Sequence, residues 1–237
     1  MATPSPTPVA LVTGGSRGLG SALTTELARR GWHVVIDGRD AATLDASVAR
    51  LDTPASVTAI PGDVADPAHR QHLAEAVASR GGLDVVVNNA SVLGPIPQPR
   101  LADYPLDELA AVYTVNTLAP VALLQLLLPH LLERGGRVIN LSSDAAVEAY
   151  EGWGGYGSSK AALDHITAIF AVEHPQVSVY AFDPGDMRTD MQQQAFPGED
   201  ISDRAAPETV VPALMRLITG ELPSGRYRAS ELNGERP

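Results

Sequence analysis

Val9-Ala10-Leu11-Val12-Thr13-Gly14-Gly15-Ser16-Arg17-Gly18-Leu19-Gly20 is the stretch from which the rest of the chain is read. Its four apolar residues form a short strand pattern that runs straight into glycines. Leu19, Ala22, Leu23 and Leu27 then recur at helical spacing as far as Gly31, which suits a C-terminal cap. The order is strand, glycine-rich turn, helix. Glycine admits positive φ and lets a pyrophosphate approach the backbone, while the helix start offers free N–H groups. A glycine-rich turn alone is common; flanked by strand and helix it reads as a dinucleotide-binding turn.

Outward from this unit the alternation continues. His33-Val34-Val35-Ile36 reads as a second strand ending in Asp37-Gly38-Arg39-Asp40. A carboxylate at that end suits a ribose 2′-hydroxyl and an arginine a 2′-phosphate, and both types are present. Leu44, Val48 and Leu51 mark a helix, and Val57–Ile60 a third strand. Asp63-Val64 follows at the height of an adenine edge, although Asp63 reads equally well as a turn or N-cap carboxylate before Pro67. After a helix bearing Leu73 and Val77, the β-branched run Leu83–Val87 has the character of a central parallel strand and ends in Asn88-Asn89-Ala90-Ser91.

Pro95, Pro97 and Pro99 make an extended loop. Leu106 to Arg134 is helical in pattern, with Asn116 in its middle and Pro120 and Pro129 interrupting. Asparagine is unfavourable inside a helix, so Asn116 is either a buried hydrogen-bonding group or a polar anchor under a site. Arg137–Ser142 and Val177–Ala181 are further strands, the latter leading to Asp183-Pro184-Gly185-Asp186-Met187-Arg188-Thr189. The polar Gln192–Ala206 segment has the look of a mobile lid. A helix over Thr209–Leu217 and a short strand within Gly225–Ser230 complete the pattern. Such alternation predicts one α/β domain over 9–230, a three-layer, doubly wound parallel sheet of about seven strands with helices on both faces. Residues 1–8 and 231–237 read as flexible ends.

Composition narrows the function classes. The chain has 237 residues, 44% of them hydrophobic, enough for one well-filled core. Its net charge of -11 opposes nucleic acid or an anionic membrane as partner. With no cysteine, disulfides and thiolate metal sites are excluded. Met1–Pro8 lacks the features of a signal peptide, and no apolar run reads as a membrane span, Val121–Leu132 being broken by Gln125, Pro129 and His130. A cytoplasmic protein is expected. His69 and His72 read as a solvated helix face, and Asp183, Asp186 and Asp190 as a turn, so no metal is expected.

Chemistry concentrates between Ser142-Ser143 and Tyr156-Gly157-Ser158-Ser159-Lys160. On a helix the i,i+4 spacing puts the phenol and the ammonium on one face. Tyrosine titrates near about 10 and needs a neighbouring cation to work as acid or base at neutral pH. A serine at the preceding strand end would hold the substrate oxygen. By itself, Tyr-x-x-x-Lys is more often a solvated helix face.

Taken together, these motifs resemble the short-chain dehydrogenase/reductase family over nearly the whole chain. Thr13 to Gly20 is similar to its Thr-Gly-x-x-x-Gly-x-Gly motif, Asp63-Val64 to its adenine contact, and Asn88-Asn89-Ala90 to its Asn-Asn-Ala-Gly element. Asn116, Ser143, Tyr156 and Lys160 match its catalytic tetrad in order and spacing, and Pro184-Gly185 with Thr189 its nicotinamide-holding motif. The resemblance implies a Rossmann-type fold and hydride transfer between a nicotinamide cofactor and a carbonyl or secondary alcohol. Tyr156 would be the acid or base, Lys160 would lower its pKa and hold the nicotinamide ribose, Ser143 would polarise the carbonyl, and Asn116 would stabilise a water chain. Implied cofactor contacts are Gly14, Ser16, Arg17, Gly18, Leu19, Gly20, Arg39, Asp63, Val64, Asn89, Ala90, Ser91, Tyr156, Lys160, Pro184, Gly185, Met187 and Thr189.

Arg17 and Arg39 stand where the family's arginines favour the phosphorylated cofactor, and Gly38 where an acid would mark NAD. NADP(H) is therefore expected over NAD(H), with Asp37 and Asp40 the residues that keep NAD(H) open. Ser91 departs from the family glycine, and the tail lacks the usual Asp-Gly-Gly ending. The short Thr189–Pro207 segment predicts a fairly open cleft lined by Leu93, Val147, Trp153 and Phe196. A homodimer or homotetramer through the Asn116 and Tyr156 helices is implied. The alternatives are an NAD-dependent alcohol dehydrogenase and a non-catalytic dinucleotide-binding sensor or scaffold.

Overall fold

A computed structural model describes residues 7–234. Residues 1–6 and 235–237, parts of the two ends read as flexible, lie outside the described residues. Seven parallel strands form one sheet in the order β3-β2-β1-β4-β5-β6-β7. They are β1 Val9–Val12, β2 His33–Gly38, β3 Val57–Pro61, β4 Val85–Asn88, β5 Arg137–Leu141, β6 Ser178–Asp183 and β7 Gly225–Arg228. The order reverses between β1 and β4, the switch point at which ligands bind beyond the strand ends in such sheets.

Strand alternation divides the core. Val9, Leu11, Val86 and Val138 face one side and pack on α3 (Pro67–Ala78) and α5 (Ala119–Arg134). Ala10, Val12, Val87 and Ile139 face the other and pack on α1 (Gly18–Arg29) and α8 (Val211–Thr219). The remaining helices are α2 Ala41–Ala49, α4 Leu106–Tyr113, α6 Gly154–Glu173, α7 Asp190–Ala195 and α9 Ala229–Asn233. Gly31, at φ +82, ends α1 in the left-handed conformation its side-chain-free backbone allows.

Three expectations need correction. Pro120 and Pro129 do not divide the central helix: helical structure runs unbroken from Leu106 to Arg134, with a π-helical turn over Thr114–Leu118. Pro120 has no N–H for the carbonyl four residues earlier, that of Asn116, and the wider turn absorbs the mismatch. These 29 residues are by length and composition apolar enough to cross a membrane, contrary to the expectation that no run would be. They lie instead against the sheet, burying Ala119, Leu123, Leu124, Leu127 and Leu131. At the other end β7 stops at Arg228 and α9 begins, so residues 231–233, read as a flexible end, are helical with Leu232 buried. Past β6, Arg188 N donates to Ala205 O at 2.8 Å, and α7 packs at the mouth of the site.

Candidate active site

The glycine turn is tied from both sides. Gly14 N donates to Asp37 Oδ1 at 2.6 Å, and Gly15 N to the Asp37 carbonyl at 2.9 Å. Asn89 Nδ2 donates to the Thr13 and Gly14 carbonyls at 2.8 and 3.1 Å, while Thr13 Oγ1 accepts from the Asn89 and Ala90 amides, each at 3.0 Å. A Cβ on Gly20 would collide with the Gly14 carbonyl, so helix and turn approach as only glycine permits. Arg17, the N-cap of α1, makes no side-chain cap, which leaves first-turn N–H groups for an anionic ligand. This cradle fits a dinucleotide pyrophosphate.

Both acids that kept NAD(H) open have other work. Asp37 is buried, holding Gly14 with one oxygen and His69 Nε2 with the other at 3.1 Å. His69 is thus a buried partner, not part of a solvated face. Asp40 caps α2, accepting from Thr43 N at 2.7 Å, and the Thr43 hydroxyl first and this N–H second hold its carboxyl below the usual range. Arg39 is exposed and has no ion-pair partner among the described residues, and Arg17 is exposed with Asp190 3.1 Å away. Asp63 closes a turn by accepting from Ala65 N at 2.9 Å, while Asp66 is the N-cap of α3. Val64 is buried beside it.

At the ends of β4, β5 and β6 lies a cavity of about 120 Å³. Leu19, Asn89, Ser91, Ser143, Tyr156, Lys160, Pro184, Gly185, Met187 and Thr189 all line it, so the candidate catalytic and nicotinamide-side residues meet in one place. Asn116, on the π turn, does not line the cavity and lies behind Ser91. Asn116 Oδ1 accepts from Val92 N (2.9 Å) and Ser91 Oγ (3.1 Å), and Nδ2 donates to Val92 O (2.9 Å) and Ser159 Oγ (3.0 Å). Protein groups take all four hydrogen-bonding positions of the amide. Its side chain ties the loop after β4 to α6. Ser91, in turn, adds a hydroxyl at the site.

Lys160 is the chain's one lysine among 17 basic side chains. It is buried, and Nζ donates to the Leu141 carbonyl at 2.7 Å. Burial brings its pKa down to about 8, opposed by the Asp164 charge. Burial pushes Tyr156 up to about 12; the Ser143 hydroxyl acts against this, the Asp144 and Asp183 charges add to it, and the Ser91 hydroxyl acts against it. Lys160 Nζ stands 5.6 Å from the tyrosine ring centroid, its ammonium engaged by the backbone. Ser143 Oγ meanwhile donates to Asp144 Oδ1 at 2.8 Å.

Leu93 and Trp153 line the cavity as expected, with Trp153 edge-on to Tyr156 at 5.7 Å. Val147 lies instead along a separate shallow groove with Leu101 and Tyr150, and Phe196 stacks behind Trp153 at 6.0 Å. Met191, Gln192 and Ala195 of α7 line the mouth of the cavity. Sequence reading missed Asp164 and Arg226, which reach the site from α6 and β7 without any motif to mark them.

Comparison with known proteins supplies a frame for this geometry. The family model described as short chain dehydrogenase matches residues 8–200. A short chain dehydrogenase of Penicillium thymicola is 34% identical over 92% of this chain and 86% of the relative. Among solved structures, a short chain dehydrogenase of Shigella flexneri complexed with NADP superposes with a TM-score of 0.88 at 27% identity, covering 95% of this chain and 98% of that one. Another, from Escherichia coli and complexed with NADPH, gives 0.87 at 28% identity, covering 94% and 97%.

Proposed function

The chain belongs to the short-chain dehydrogenase/reductase family, and from that premise we propose that it is an NADP(H)-dependent carbonyl reductase with Tyr156 as acid. One observation carries the proposal: the chain's single lysine is buried beneath the tyrosine, beside a cavity that Ser143 and Leu19, at the start of the first helix, also line. A buried lysine with a lowered pKa is costly and is characteristic of functional sites. Arginine could not replace it, because a guanidinium does not give up its proton in proteins. A sensor or scaffold would have no need of that cost.

The bound nicotinamide dinucleotide supplies the hydride, or accepts it in the oxidative direction. Ser143 leaves Asp144 to donate to the substrate oxygen, polarising the carbonyl. Tyr156 Oη delivers the proton to that oxygen as the alkoxide forms. Trp153, Leu93 and Met191 exclude water and favour a compact apolar ketone or aldehyde. Asp37 faces inward and Arg17 and Arg39 face outward, which supports a 2′-phosphate on the cofactor over a free diol.

Fluorescence titration with NADPH and NADH, followed by turnover on ketones and aldehydes, tests this. Preferential NADPH binding with turnover of a carbonyl is expected. Binding of neither cofactor would overturn it.

A further inference from the structure

We propose that Arg226 of β7 is a positioning residue that sets Ser143 and Lys160 relative to each other. This rests on the carbonyl-reductase reading of the same cavity. Its guanidinium meets three elements at once. Nη2 donates to the Ser143 carbonyl at 2.9 Å and to Asp183 Oδ2 at 3.1 Å, and Nε donates to Asp164 Oδ2 at 3.0 Å. Each contact leads to the reacting groups. Ser143 is the carbonyl-polarising serine. Asp164 lies one helical turn beyond Lys160 on α6 and also accepts from Ser142 Oγ at 2.8 Å. Asp183 ends β6, and its Oδ1 accepts from Gly185 N at 3.0 Å, shaping the Pro184-Gly185 turn.

The fork geometry is what makes this possible. A planar guanidinium reaches several fixed acceptors together, which an ammonium cannot do. Asp183 is only 6% exposed and Asp164 15%, so removing Arg226 would leave two confined carboxylates short of a partner. Several charged or titratable groups face Lys160 and Tyr156. These are Asp164 from α6, Asp144 after β5, Asp183 of β6, and Arg226 and Arg228 of β7, the last with its Nε 3.7 Å from Asp183. The π turn contributes uncharged Asn116. Arg226 is the cation that offsets Asp164, and without it the aspartate would keep only the Ser142 hydroxyl and act more strongly on the ammonium.

Because the chain has one lysine, protein grown on side-chain-labelled lysine gives one ammonium signal, that of Lys160. The experiment follows that signal against pH in the full chain and in Arg226→Gln, alongside turnover. Arg226→Gln is expected to raise the Lys160 midpoint by roughly half a pH unit or more and to lower kcat about tenfold, with the NADPH KM changed less than about threefold. A midpoint that stays within about 0.2 of the parent's in a folded Arg226→Gln protein would overturn the inference. Should that variant fail to fold, Asp164→Asn is read instead: the midpoint is expected to fall, and an unmoved one overturns the inference. The midpoint needs no turnover. An inactive parent with a shifted midpoint would count against the reductase reading and leave the role of Arg226 standing.

Discussion

Lys160 donates from Nζ to the carbonyl oxygen of Leu141 at 2.7 Å, from a position with almost no exposure. The strand end thereby fixes the ammonium under the active cavity, and burial brings its pKa down to about 8. Near neutral pH the site holds a cation that is ready to lose its proton, beside a phenol pushed up to about 12. Those two perturbed groups, with the Ser143 hydroxyl in the same cavity, are the chemical core of the proposed activity.

Stability should report the cost of that arrangement. Lys160 has a folded pKa of about 8 against an ordinary 10.5, so between those values the unfolded chain binds more protons. Stability attributable to Lys160 therefore rises as pH increases from 8 to 10.5, and below pH 8 the buried ammonium costs on the order of 3 kcal/mol. Lys160→Met is expected to raise the melting temperature at pH 7 while abolishing turnover. Scanning calorimetry at pH 7 and 9.5 checks this: the gain should shrink at the higher pH.

Arg39→Ala should weaken NADPH binding about ten- to a hundredfold and leave NADH within about twofold, because only the phosphorylated ribose meets the guanidinium. Parallel fluorescence titrations decide it. Equal losses for both cofactors would remove the phosphate assignment.

Asp37→Ala should behave differently. It strands the Gly14 amide and His69, costing about 2 kcal/mol or more, and loosens the pyrophosphate turn for both cofactors alike. Denaturant midpoints and both titrations measure this, with the NADPH-to-NADH ratio expected to hold.

Ser91→Gly should be mild. Asn116 keeps Val92 and Ser159 as partners, so a loss of about 1 kcal/mol or less is expected. Removing the hydroxyl that favours the phenolate should move the alkaline limb of the reduction rate upward. A pH–rate profile of the variant shows the direction.

What was legible in the sequence was local. Val9–Gly31 carries strand, turn, helix and cap within one continuous pattern, and the structure follows it closely. Tyr156 and Lys160 share a helix, so their spacing alone placed them together. Contacts between distant segments were not legible. Asp37 and His69 are 32 residues apart, and nothing in either segment announces a buried pair; His69, paired with His72 on its helix, looked solvated. Arg226 reaches Ser143 across 83 residues, from a strand whose own pattern is polar. Pro120 misled for a local reason: a proline normally ends a helix, but a π turn next to it lets the helix continue. Likewise, the length of a loop does not determine that α7 folds back to line the cavity.

The most direct test of the account is Tyr156→Phe, assayed for NADPH binding by fluorescence and for NADPH oxidation with a carbonyl that the parent reduces. The account predicts binding within about threefold of the parent and turnover reduced by about a thousandfold or more, because only the proton donor is lost. Turnover surviving at a tenth of the parent rate or better would contradict it.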